Sequence, residues 1–147
     1  IDEGVKFVEY TRQNPEASIR GLMYAGVTVL HKVPGVLRYV KKAESLGADA
    51  VTVIGFEAGG HPGTEPVGTM VAAVAAARAV KIPVIAAGGI GTGEQLVAAL
   101  ALGAEGVAMG TRFLVSEEIW AHRAYKERLV AAGETDTTML LQSMRNH

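Results

Sequence analysis

The sequence predicts an α/β fold of about five βα units on parallel strands, and three observations predict it. Short strand-like runs recur at Val5 to Tyr10, Val27 to Val33, Ala50 to Ile54, Val84 to Ala87 and Gly106 to Met109. Each is followed by a segment with helical periodicity, giving expected helices at about 14–24, 35–46, 67–80, 93–102 and 117–132. An internal echo, Leu46-Gly47-Ala48-Asp49-Ala50-Val51 against Leu102-Gly103-Ala104-Glu105-Gly106-Val107, places a glycine after a helix and then a strand in two separate units.

The helix starts carry their own signals. Asn14-Pro15-Glu16 reads as N-cap, first-turn proline and first-turn acid, Thr92-Gly93-Glu94-Gln95 as a capping box, and Ser116-Glu117-Glu118 as a further N-cap. Strict alternation of β and α forces parallel strands, which close into a barrel or lie in an open doubly wound sheet. Successive strand starts are about 22 residues apart except between Ile54 and Val84, where the loop Gly55 to Gly68 adds about a dozen. In parallel α/β folds the C-terminal strand ends carry the chemistry, so that loop is a candidate site by position alone.

Composition narrows the class. The 147 residues are 49% hydrophobic, enough for the core of one domain spanning residues 1–147. Fourteen basic residues against 15 acidic ones give a formal net charge of -1, so no nucleic-acid partner is implied. There is no cysteine, which excludes disulfides, thiolate metal sites and a cysteine nucleophile. Histidines and carboxylates do not recur at ligand spacing on any one element, so no metal is expected. The longest apolar run, near Val71 to Val80, is too short to span a bilayer, and the plain expectation is a soluble, cytoplasmic protein without a membrane partner. A chain that starts at Ile1 and runs at once into a strand is expected of an internal segment of a longer gene.

Two glycine-rich turns follow the last two strands. Ala86-Ala87-Gly88-Gly89-Ile90-Gly91-Thr92 opens a helix and exposes backbone amides where an anion can approach, and Met109-Gly110-Thr111-Arg112 comes one strand later. The pair matches the phosphate site that (β/α)8 barrels build after their seventh and eighth strands. Either turn alone is equally a bare strand-to-helix connection; it is their succession that favours a ligand. Gly89-Ile90-Gly91 lacks the glycine spacing of the dinucleotide fingerprint, and no acid ends a following strand.

The sharpest feature is Gly55-Phe56-Glu57-Ala58-Gly59-Gly60-His61-Pro62-Gly63. Glycines let backbone approach a bulky ligand, and an imidazole held among them accepts a proton or holds an anion. A loop histidine is ordinarily just solvated; here the loop's length, position and glycine content favour a site. Glu57 reads as an acid or base, or, as we prefer, as a brace accepting backbone N–H bonds. Lys32 ends its strand on the face of Thr28 and Leu30, a solvated lysine or one aimed at the site, while His31 alternates to the helix-facing side. Arg112 is open between a phosphate and a nearby carboxylate. His122 and His147 are assigned no role.

With these residues the sequence resembles the nitronate monooxygenase family, formerly 2-nitropropane dioxygenases. The resemblance rests on His31-Lys32, the Gly55–Gly63 loop, Pro83-Val84-Ile85-Ala86-Ala87-Gly88-Gly89-Ile90, and Gly103-Ala104-Glu105-Gly106-Val107-Ala108-Met109-Gly110-Thr111-Arg112-Phe113, in the family's order over nearly the whole chain. It implies the C-terminal portion of a (β/α)8 TIM barrel holding FMN non-covalently. Gly88, Gly89, Gly110 and Thr111 would lie around the phosphate, Lys32 and Gly60 near the rest of the cofactor, and His61 would be the active-site histidine. Such enzymes pass an electron from a nitronate to the flavin, and oxygen completes conversion to a carbonyl compound and nitrite. His61 would take the α-proton of a neutral nitroalkane or hold the anion. Members often carry Asp or Gln where this chain has Ile54, which puts one cofactor or loop contact in question. The family barrel also begins with about three strands that this chain lacks, so an unpaired edge and an exposed interior are expected, and the isolated chain is expected either to associate, into a homo-oligomer or with the missing part of the barrel, or to fold poorly.

Two other readings compete. FMN-dependent enoyl-acyl-carrier-protein reductases resemble the same glycine-histidine and phosphate loops and need a reduced nicotinamide donor. A non-catalytic half-barrel or phosphate-binding fragment would bind flavin without turnover. The inosine-monophosphate dehydrogenase type has similar phosphate loops but requires a cysteine that is absent here.

Overall fold

The computed structural model describes residues 4–11, 16–61 and 63–140. Five strands, β1 (Phe7–Tyr10), β2 (Thr28–Pro34), β3 (Ala50–Ile54), β4 (Val84–Ala87) and β5 (Gly106–Ala108), pair in parallel in the order of the chain. A doubly wound sheet places its first strand in the middle and reverses direction at a switch point. Strictly sequential pairing has no such point; it is the winding of a (β/α)8 barrel, and five units make part of one.

Helices α1 (Glu16–Tyr24), α2 (Leu37–Ser45), α3 (Thr69–Ala79), α4 (Gly93–Ala101), α5 (Thr111–Leu114) and α6 (Arg123–Ala131) separate or follow the strands. The expected elements recur with ends shifted by a residue or two, save in the last unit. There the helix expected at 117–132 begins only at Arg123, and a short α5 precedes it. The Ser116-Glu117-Glu118 signal belongs to a turn, where backbone hydrogen bonding and then the Ser116 hydroxyl hold the Glu118 carboxyl below its ordinary range. The cap of α6 is His122, whose Nδ1 accepts from Ala124 N–H at 3.2 Å. Asn14, Pro15, Pro62 and His147 lie outside the described residues.

The repeated Leu-Gly-Ala motif closes two helices the same way. Ala48 N–H bonds back to Ala43 O at 3.2 Å and Ala104 N–H to Ala99 O at 3.1 Å, with Gly47 and Gly103 at φ of 86° and 96°. These are Schellman ends, which require a left-handed residue just past the helix. The Thr92 capping box also forms: its Oγ1 accepts from Gln95 N–H at 3.3 Å, and Gln95 Oε1 accepts from Thr92 N–H at 3.1 Å.

Register divides the sheet into two faces. Val29, His31 and Val33 of β2, Val51 and Val53 of β3, and Val84 and Ala86 of β4 point at the helices and are buried. Val33, Val51, Val53 and Val84 pack with Val40, Ala43, Ala72 and Ala76 in one sheet-helix core, and Ala86 packs with Ala73, Ile90, Ala99 and Ala104 in a second. The alanines of α3 permit close approach: a Cβ on Gly35 would come within 2.5 Å of Ala72 Cβ. The opposite face carries Phe7, Glu9, Thr28, Leu30, Lys32, Thr52, Ile54, Ile85 and Ala87, and it is only partly covered, Phe7 being 68% exposed. Among the described residues no helix is long and apolar enough to cross a membrane.

Two substitutions test this packing by urea denaturation. Val53→Ala removes two methyl groups from a fully buried site and is expected to lower the unfolding free energy by about 2 kcal/mol. Thr92→Ala, which breaks the capping box, is expected to cost about 1 kcal/mol.

Candidate active site

The loops that leave the C-terminal ends of β3, β4 and β5 share one edge of the sheet. The first begins as Gly55 N–H bonds to Ala87 O at 2.9 Å, and closes at its base as Phe56 N–H bonds to Val67 O at 2.8 Å. A Cβ on Gly55 would collide with the Thr69 hydroxyl and backbone, so only glycine lets α3 start so near the end of β3.

Glu57 is the brace preferred from sequence. Its carboxylate oxygens accept Thr69 N–H at 2.9 and 3.1 Å, capping α3 from twelve residues back. The far half of the loop is tied down separately. Arg38 donates to Glu65, Thr64 Oγ1 donates to Glu65 at 2.9 Å, and Gly63 packs on Pro34. The Arg38 hydrogen bond, followed by that from Thr64, holds the Glu65 carboxyl below its ordinary range; bonding to Tyr39 and then to Glu65 raises Arg38. Between the anchored halves stand Gly59, Gly60 and His61, all exposed; chain neighbours aside, no heavy atom of the described residues lies within 4 Å of where a Cβ on either glycine would be. His61 makes no hydrogen bond or ion pair to the described residues.

The β4 loop is more occupied than the sequence suggested. Of the backbone amides along residues 86–92 that the sequence offers to an anion, Gln95 Oε1 accepts two: Thr92 N–H at 3.1 Å, as the capping box requires, and Gly91 N–H at 2.7 Å. A side chain of the right length at the third helical position satisfies them before any ligand can. Gly88 and Gly89 remain, at φ of 106° and 66°. A Cβ on Gly88 would meet Thr69 Oγ1 at 3.0 Å and Ala58 N at 3.1 Å, and one on Gly89 would meet Glu57 Cβ at 2.9 Å, so both glycines are explained by the fold. Gly110, the N-cap of α5, differs: its φ is -99° and a Cβ there would meet nothing. Arg112 Nε donates to Gly91 O at 2.7 Å and fastens the β5 loop to the β4 loop.

Lys32 lies on the inner face as expected, 3.4 Å from Glu9 Oε2, while Glu9 Oε1 accepts from Thr52 Oγ1 at 3.0 Å. His31 takes the helix side, edge-on to Tyr10 at 6.1 Å. Gly88, Gly89, Gly110 and Thr111 thus gather at two bolted turns, Lys32 stands on the inner face, and Gly60 and His61 form the apex of the adjacent loop. Sequence reasoning passed over Glu9 and Thr69. Thr69 had a signal, a hydroxyl opening an apolar helical run; Glu9 had only its period-2 alternation.

A family model for nitronate monooxygenase matches residues 1–145. The chain belongs to the nitronate monooxygenase family. The chain is 44% identical over 139 residues to a (3aS,4S,5R,7aS)-5-hydroxy-7a-methyl-1-oxo-octahydro-1H-indene-4-carboxyl-CoA dehydrogenase of Rhodococcus jostii, covering 95% of this chain and 38% of that protein. FabK of Thermotoga maritima superposes with a TM-score of 0.89 at 46% identity, over 94% of this chain and 43% of that one. Nitroalkane oxidase of Streptomyces ansochromogenes gives a TM-score of 0.74 at 32% identity, over 86% and 39%. This nitronate monooxygenase family chain therefore spans about two-fifths of the length of the curated relatives it matches.

The anchor of the histidine loop has a pH signature. A carboxyl depressed in the fold contributes stability above its unfolded value, about 4.3, and loses it as pH falls through the lower folded value. Amide exchange at residues 63–67, corrected for intrinsic rate, is expected to stay constant from pH 7 to 5 and to rise below about pH 4. Arg38→Ala is expected to raise it already at pH 7.

Proposed function

We propose that the protein carrying this chain is an FMN-dependent oxidoreductase that converts alkyl nitronates and molecular oxygen to a carbonyl compound and nitrite. The observation that carries the reading is His61, exposed at the apex of a loop anchored at both ends and followed along the same sheet edge by two glycine turns. Anchoring both halves limits how far the loop apex can move while leaving the imidazole open to a small molecule. Family membership over nearly the full chain supports nitronate chemistry among those such a site permits.

The residues fit FMN. The first N–H groups of α5 have no helical partner, Gly110 leaves open space before them, and the Thr111 hydroxyl stands at the same turn, a setting for phosphate oxygens. Gly88 and Gly89 present main chain from the neighbouring turn. Gly60 offers a second open approach, and Lys32 places an ammonium on the inner face. Bound FMN supplies the electron acceptor. His61 accepts the α-proton of a neutral nitroalkane at a ring nitrogen, or, protonated, holds the nitronate anion. The half-covered inner face is closed by strands outside this chain or by a second copy; a stable soluble monomer of the isolated chain on size exclusion would count against this.

A second reading has its own support. FabK and the CoA-ester dehydrogenase are both more similar in sequence than the nitroalkane oxidase, which favours an acyl thioester as substrate on the same flavin site. A third, flavin binding without turnover, makes the chain a non-catalytic portion of a barrel.

Oxygen uptake and nitrite release with a simple alkyl nitronate, set against consumption of a reduced nicotinamide with an enoyl thioester, separate these readings. Nitrite formation is expected, and His61→Ala is expected to lower kcat/KM for a neutral nitroalkane about a hundredfold or more. Thioester-dependent oxidation of the nicotinamide without nitrite would overturn the nitronate reading. Gly110→Asp tests the phosphate site without straining the backbone, and FMN absorbance in the purified protein is expected to disappear.

A further inference from the structure

We propose that Thr69 is a positioning residue that turns the Gly88–Gly89 peptide so that its N–H faces an anionic group of the ligand. With the cofactor proposed above that group is the FMN phosphate, and the inference rests on that reading for the ligand's identity. Thr69 opens α3 and is 1% exposed. Its Oγ1 lies 2.8 Å from Gly88 O, 3.0 Å from Glu57 Oε2 and 3.3 Å from Ala87 O. A hydroxyl has one proton, so three acceptors compete for it. Glu57 already receives Thr69 N–H on both oxygens and is exposed to water, and Ala87 O receives Gly55 N–H. Gly88 O is half-buried and has no other donor among the described residues, and it makes the shortest of the three contacts. A carbonyl so placed takes the proton, because leaving it unpaired costs more than leaving a hydrated carboxylate oxygen to water.

The orientation of the next amide follows. The described chain has no cis peptide bond, and in a trans peptide C=O and N–H point in opposite directions. With Gly88 O turned inward to Thr69, Gly89 N–H is turned away from the buried start of α3, and Gly89 itself is exposed. The following peptide is fixed from the other side, since Gln95 Nε2 donates to Gly89 O at 2.7 Å, which turns Ile90 N–H away from Gln95. Neither N–H has an acceptor among the described residues. The N–H groups of Gly89 and Ile90, each set by a side-chain hydrogen bond to the carbonyl of its own peptide and preceded by a glycine at left-handed φ, offer two adjacent donors to an anion. Glu57 acts one step back: by fixing Thr69 N–H it holds the hydroxyl in place and couples the histidine loop to these donors.

The test uses the complete protein that carries this chain, with FMN and riboflavin, which lacks the phosphate, titrated by fluorescence quenching. Thr69→Val, which keeps the shape and removes the hydroxyl, is expected to weaken FMN about tenfold and leave riboflavin unchanged, while Thr69→Ser is expected to stay within about twofold of wild type for both. Amide exchange of apo protein supplies a readout without ligand, with Gly89 N–H expected to change in Thr69→Val and not in Thr69→Ser. Should Thr69→Val fail to fold, Thr69→Ala takes its place with the same expectations. Equal weakening of FMN and riboflavin, or no weakening in a folded variant, would overturn the proposal. FMN binding with the expected Thr69 dependence but no nitrite would sustain it and remove the nitronate reading alone; wild-type protein that binds neither flavin would overturn both.

Discussion

Much of the candidate site depends on one small contact, the buried hydroxyl of Thr69 between the ends of β3 and β4. Two parallel strands that end side by side leave carbonyls facing the start of the next helix, and buried carbonyls must find donors. Here one side chain meets that need: Thr69 fills the space that Gly55 and Gly88 leave free, reaches Gly88 O, and gives its own N–H to Glu57. The glycines are therefore defined first by this junction. What they present to a ligand is a consequence of how the junction is filled.

The two faces of the sheet answer to different constraints. On the helix side, valines at alternate positions meet the alanines of α3, and the core is sealed within the chain. On the inner side the polar chain from Lys32 through Glu9 to Thr52 crosses three strands. A carboxylate and an ammonium on a half-open face keep water without penalty, whereas burial by further strands would require the pair to stay joined. That face is where sequential winding directs the chemistry, because βα loops and inner side chains converge at one end.

Local signals were legible wherever the partner is close in sequence. The Leu-Gly-Ala echo announced two Schellman ends, and Thr92 with Gln95 announced a capping box, because each bond spans a few residues. The same box showed where reading by motif falls short: a glycine-rich turn suggested bare amides, and Gln95 occupies two of them. Ser116 misled for a related reason, since a hydroxyl followed by two acids serves a turn as readily as a helix, and His122 was free to cap α6 instead. Thr69 and Glu9 stayed hidden because their partners lie 12 and 43 residues away, across strand ends whose adjacency no local pattern states.

By itself the sequence determined the alternation of strands and helices, the parallel sheet, the face on which His31 and Lys32 lie, and the loop in which His61 stands. These follow from periodicity and turn chemistry, which act over a few residues. Only the tertiary structure decided that the strands pair in chain order, that Arg112 ties one glycine turn to the next, that Glu57 caps a distant helix, and that Lys32 shares its charge with Glu9. Each of those is a contact between groups brought together by winding, and a hydrogen bond or ion pair depends on distances of about 3 Å that no linear spacing can fix.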